Sequence, residues 1–114
     1  MTLQNRVFTF IGMPGVGKST IGKSLAKHLQ YDFIDIDQII VREMGQPIAE
    51  IIQMKGVQTF KDLEETTVLN LGPLHHTIIS TGGSLVYSHP AMNWLSKHST
   101  IIYLKDSLNN IQKR

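Results

Sequence analysis

Cysteine is absent from the 114 residues, so neither a disulfide nor a thiolate metal site is available, a composition suited to a reducing cytoplasm. Excess charge is nearly absent too. The 11 basic and 9 acidic residues leave a net charge of +2, and the only concentrated basic end is Lys113-Arg114, so nothing requires a nucleic-acid or anionic-membrane partner. No apolar run approaches the roughly 20 residues that span a bilayer, and Met1 to Asn5 carry no basic segment leading into a signal core. The expectation is a soluble cytoplasmic chain, without membrane contact. Repeats, linkers and low-complexity segments are also missing, so residues 1–114 read as a single domain, its 41% hydrophobic content enough for one core. The five histidines show no pair at i, i+4, and are expected as surface or satisfied groups rather than metal ligands.

What is present is concentrated near the N-terminus. Gly12-Met13-Pro14-Gly15-Val16-Gly17-Lys18-Ser19 satisfies the phosphate-loop pattern G-x-x-x-x-G-K-[ST] at every fixed position. The context that pattern needs stands on both sides. Arg6 to Ile11 reads as a buried strand, and Lys18 to Leu29 places Ile21, Leu25, Ala26 and Leu29 on one helical face. Glycines at 12, 15 and 17 let backbone amides converge on phosphate oxygens at a helix N-terminus. Lys18 supplies a point charge for the outer phosphates, and the Ser19 hydroxyl suits Mg²⁺, which prefers hard oxygen ligands. The pattern implies nucleotide binding.

Downstream, Phe33-Ile34-Asp35-Ile36-Asp37 alternates apolar and acidic residues, predicting a strand with both carboxylates on one side. Helices are predicted over Gln38–Met44, Ile48–Lys55 and Val57–Leu71, a helical insertion over 38–72 before the next strand. Within it Ile48, Ile51, Ile52, Met54, Val57, Phe60 and Leu63 are spaced mostly as core. Strands follow at Thr77–Ser80 and Thr100–Leu104, flanking a helix Pro90–Lys97 capped by Ser88, in which Trp94 and Leu95 are read as packing. The near-continuous apolar run of the second strand suggests cover on both faces. A last helix, Leu108–Arg114, starts at Ser107 and lacks a stop signal, so the chain reads as C-terminally incomplete. The alternation predicts a three-layer α/β fold, an open parallel sheet of the P-loop NTPase/kinase type with about four strands and its ligands at the carboxyl ends.

Two features face such a site. Of the Asp35/Asp37 pair, one carboxylate suits the hydration shell of a metal and the other suits taking a proton from a hydroxyl, the alternative being that Asp37 only caps a helix. The Gly82-Gly83 turn admits a small substrate close to the backbone, or simply turns the chain.

These segments together, with Ile48 to Ile52, Gly56, Phe60-Lys61, Glu64, Ser80 to Gly83 and Ile102 to Leu104, resemble shikimate kinases in order and spacing from about Val7 to Arg114. The resemblance implies phosphoryl transfer from MgATP to a hydroxyl of shikimate or a similar hydroxy acid, by a monomer. It implies ATP contacts from Gly12, Gly15, Val16, Gly17, Lys18, Ser19 and Thr20, with Arg114 stacking on adenine. Metal would be held by Ser19 and Asp35, with Ser80 near its water shell. Lys18 and Asp37 would be catalytic, and the acceptor would lie among Asp37, Lys61, Gly82, Gly83 and Ser84, with Phe60 as a wall. Lys61 stands where the family carries an arginine and Ser84 where it carries a third glycine, so the charge is kept without the bidentate fork and a side chain is added. The family's lid, last strand and last helix have no counterpart in this sequence. A gluconate-type kinase and a non-catalytic nucleotide-binding module therefore stay open as alternatives. Glu64, one turn after Lys61, reads either as its orienting partner or as a solvated surface contact.

Overall fold

The computed structural model describes residues 6–12 and 18–104. Residues 13–17 of the phosphate loop, the expected helix 108–114 and Arg114 lie outside the described residues, as do the side chains of Lys18 and Ser19. Strand β1, Val7–Gly12, precedes helix α1, Lys18–Leu29, the order the loop motif requires. Next come β2 (Asp32–Asp35), α2 (Ile36–Met44), α3 (Ile48–Lys55) and α4 (Val57–Leu69). Strand β3 (Thr77–Ser80), a 3₁₀ turn (Leu85–Tyr87), α5 (His89–His98) and β4 (Thr100–Leu104) complete the described elements.

The four strands form one parallel sheet in the order β2-β3-β1-β4. Its register pairs Phe10 with Ser80, Asp35 with Ser80 and Gly12 with Leu104, so all four carboxyl ends meet at one edge of the sheet. α1 packs on β1, β2 and β3, over the face carrying Phe10, Phe33 and Ile78. Val7, Ile34, Ile79 and Ile101 belong to a core with Ile36, Ile40, Ile51, Val68 and Leu95, supplied by α2 to α5. The chain reverses its direction of progress across the sheet between β3 and β1, the position where open α/β sheets leave a crevice for ligands.

Several expectations need correction. β2 ends at Asp35, and Asp37 lies in the first turn of α2 rather than on a strand. The cause is the period of burial: Ile36 and Ile40 are 0% and 1% exposed, an i, i+4 pair that only a helix sends to one side. Asp35, not Asp37, caps that helix, its carboxylate accepting the Gln38 N–H at 3.2 Å. Met54 and Val57 are 68% and 53% exposed, because the chain turns at Gly56 between α3 and α4 and breaks their spacing. Leu29, at the end of α1, is exposed as well, and α4 stops at Leu69 rather than Leu71. Finally, the described residues do not cover β4 on both faces. Among the described residues it pairs only with β1, as an edge strand, and Tyr103 is exposed.

Candidate active site

Each strand of a parallel sheet delivers its last residue to the same edge, and the candidate site is assembled there. β1 delivers Gly12, whose φ of 153° and tight approach to the Leu104 carbonyl leave no space for a Cβ. β2 delivers Asp35. It lines a cavity of 530 Å³ with Thr20, Lys23, Gln38 and Arg42, between α1, β2 and α2. Asp35 and Thr20, two residues expected on the nucleotide side, thus share one space.

β3 delivers Ser80 and then Thr81, whose N–H and hydroxyl both donate to the Phe10 carbonyl, at 3.3 and 3.1 Å. That double tether fixes where Gly82 leaves the sheet. Gly82 is buried against two carboxylates: a Cβ here would stand 2.5 Å from Glu64 Oε2 and 2.7 Å from Asp37 Oδ1. A side chain here would have to displace both carboxylates. Asp37 comes from the first turn of α2 and Glu64 from the middle of α4, so three separate elements meet at one backbone atom. Ser84 follows and donates to Glu64 Oε1 at 2.6 Å. Lys61, Glu64, Ser84, Leu85 and Tyr87 line a second cavity of 210 Å³. Of the residues expected on the acceptor side, Asp37 and Gly82 meet at the turn and Lys61 and Ser84 share the second cavity, with Glu64 common to both.

Electrostatically Glu64 stands apart. It is 1% exposed, its Oε2 is buried without a hydrogen bond, and an unsatisfied buried carboxylate oxygen costs about 1–3 kcal/mol or more. Burial pushes its carboxyl above the ordinary value of 4.5. The Ser84 hydrogen bond opposes that rise, the Asp37 charge adds to it, and the Lys61 charge opposes it. Of the two readings of Glu64 beside Lys61, the solvated surface contact is corrected: Glu64 is buried and bonded to Ser84, while the exposed Lys61 acts on it through its charge. A signal for this was available, since Phe60, Glu64 and Val68 recur every four residues and all three are buried. A carboxylate in the middle of an apolar stripe is a functional candidate. Beside it, Ser88 donates to Glu65 Oε1 at 2.8 Å and caps α5 by accepting the Ala91 N–H, which ties α5 to α4.

A β1–loop–α1 unit with a full phosphate-loop pattern, a parallel sheet of this order and carboxylates at its carboxyl edge define the P-loop kinase fold. Within that class, the family model for shikimate kinase matches residues 14–114. The chain belongs to the shikimate kinase family. It is 34% identical over 114 residues to a shikimate kinase of Chlorobium luteolum, covering 100% of this chain and 56% of that protein. Against a shikimate kinase of Microcystis aeruginosa it is 41% identical over 105 residues, covering 91% and 54%. The structure of shikimate kinase from Acinetobacter baumannii in complex with shikimate superimposes with a TM-score of 0.85 at 27% identity, over 96% of this chain and 61% of that one. The chain thus spans little more than half the length of the curated relatives it matches.

Proposed function

We propose that this chain phosphorylates a hydroxyl of a small carboxylated polyol, most directly shikimate to shikimate 3-phosphate, at the expense of ATP. The observation that carries the reading is the Asp37 carboxylate set against the Gly82 turn, at the sheet edge where β1 leads into α1. Family membership supports the reaction, and the Acinetobacter complex supports the acceptor.

MgATP fits the residues present. The start of α1 offers backbone N–H groups, Lys18 a charge, and Ser19 with Asp35 two hard oxygens suited to Mg²⁺. When bound, it supplies the phosphoryl group and neutralises its oxygens. The protein's part is positioning. Asp37 receives the acceptor hydroxyl and takes its proton, a role worth about 10² to 10⁴ in rate for a placed general base. Lys61 offers a cation to the acceptor carboxylate, and Gly82 and Gly83 let the ring lie against the backbone. Phe60, buried at 7% exposure in the core beside Glu64's helix face, is assigned to the α4 wall of that space. Ser80 at the end of β3 and Thr20 in α1 extend the nucleotide side, and Arg114 is assigned to the base.

The test is ATP-dependent phosphorylation of shikimate by the purified chain, with Lys18→Ala as blank and gluconate as competing acceptor. Lys18-dependent transfer to shikimate supports the reading, and transfer to gluconate alone replaces it. ATP binding without transfer to either assigns the chain a nucleotide-binding role. The monomeric, cytoplasmic state is part of the same proposal, its first clause open to sedimentation analysis.

A further inference from the structure

Ser84 is not a freely rotating surface serine. It sits in a turn whose backbone is fixed on both sides, the Leu85 N–H bonding to the Gly82 carbonyl at 3.3 Å and the Tyr87 N–H to the Ser84 carbonyl at 3.1 Å. Leu85, 1% exposed, anchors the turn in the core. From there the Ser84 hydroxyl reaches Glu64 Oε1 at 2.6 Å, a short bond of the charge-assisted type. Glu64 Oε2 is left buried, with no hydrogen bond, against the Gly82 turn that Asp37 also faces. Lys61, one turn earlier on α4, donates to neither oxygen of Glu64.

We propose that Ser84 is a positioning residue of the acceptor site: it clamps the Glu64 carboxylate so that Oε2 receives a hydroxyl of the acceptor adjacent to the one presented to Asp37, and it leaves Lys61 to the acceptor's carboxylate. The proposal rests on the kinase reading above. Its chemistry follows from the groups that meet there. An aligned carboxylate oxygen with no donor accepts an O–H, and two carboxylates at one turn repel an anion. The acceptor is therefore a vicinal diol at the Gly82 end, with its acid directed toward Lys61. A serine does this with a neutral donor. A cation bonded to Glu64 would fix it as well, but would no longer be available to the acid group. The groups facing Glu64 are Asp37 from α2, Lys61 from α4 and Ser84 from the turn.

The experiment compares wild type, Ser84→Ala and Ser84→Thr in two measurements. The first is steady-state kinetics with shikimate and with an analogue lacking one of its vicinal hydroxyls. Ser84→Ala is expected to raise the KM for shikimate about tenfold, the order set by losing one hydrogen bond to a charged group, and to change kcat by less than threefold. The deoxy analogue should lose most of its sensitivity to the substitution, and Ser84→Thr should restore the wild-type KM. The second is a ¹³C NMR titration of the Glu64 carboxyl with no ligand added, where Ser84→Ala should move the titration to higher pH and Ser84→Thr should move it back. An unchanged KM together with an unchanged Glu64 titration overturns the proposal. So does equal sensitivity of shikimate and the deoxy analogue. If wild type phosphorylates no acceptor, the kinase reading fails by itself, and the Glu64 titration still decides whether Ser84 sets that carboxylate.

Discussion

The Asp37 carboxylate occupies the space that a side chain at position 82 would need, with Oδ1 2.7 Å and Oδ2 3.0 Å from where a Cβ would stand. A glycine in the loop after β3 and an acid in the first turn of α2 are thus one unit. The absence of a side chain at 82 is what lets the Asp37 carboxylate stand against the turn.

Replacing Gly82 by alanine tests that unit. The methyl group would have to displace both the Asp37 and the Glu64 carboxylates, and over-packing of this kind costs about 1–3 kcal/mol. The expected outcome is a lower urea midpoint and a loss of shikimate binding in calorimetry that exceeds any loss of ATP binding. Equal binding of shikimate by Gly82→Ala would remove Gly82 from the site.

Asp37→Asn keeps the shape and removes the carboxylate proposed as the base. Transfer should fall by about 10²- to 10⁴-fold, with ATP affinity and thermal midpoint near those of wild type. A fall in ATP affinity as large as the fall in rate would instead place Asp37 on the nucleotide side.

Glu64 makes stability depend on pH with a definite sign. Its carboxyl is raised above 4.5 in the folded chain, chiefly by burial, so the folded state holds this proton more tightly than the unfolded one. The contribution is fully present below pH 4.5 and is lost as pH rises through the elevated value. Glu64→Gln has no proton to lose. Its urea midpoint should exceed that of wild type near neutral pH, and the difference should shrink toward pH 4.5. A constant difference across that window would falsify the assignment.

Gly12→Ala should destabilise the fold itself. At φ 153° and against the Leu104 carbonyl, a side chain there is both strained and obstructed, and the β1–β4 pairing must open to admit it. A loss of about 1–3 kcal/mol is expected from denaturant unfolding, with the earliest loss of amide protection in β4.

Much of the architecture was legible in the sequence. The strand, loop motif and α1 were placed by an apolar run, a fixed pattern and a helical period, and the bounds of α1, α3, β3 and β4 agree with the structure. Where reading failed, two periods competed over a few residues. Phe33 to Asp37 alternates like a strand, yet Ile36 and Ile40 also satisfy a helix, and only the core beneath α2 selects the second. The exposure of Met54 and Val57 has a similar cause, since a turn at Gly56 resets the direction in which each helix faces. For the candidate site, Asp35, Asp37, Lys61, Gly82 and Ser84 stood out as residue types at motif spacings, their roles being proposals. The Ser84–Glu64 bond did not, because a hydroxyl and a carboxylate from separate elements carry no mark of being neighbours.

The sequence by itself determined the phosphate-loop pattern, the alternation of strands and helices and the chemistry available at each position, because these depend on local backbone preference and on side-chain identity. The tertiary structure decided which of those groups act together. Parallel strand pairing brought the ends of β1, β2, β3 and β4 to one edge, and the packing of α2 and α4 beneath them set Asp37 and Glu64 against Gly82. Burial then gave Glu64 its raised carboxyl and its dependence on Ser84, since the energy of a charge depends on what replaces water around it.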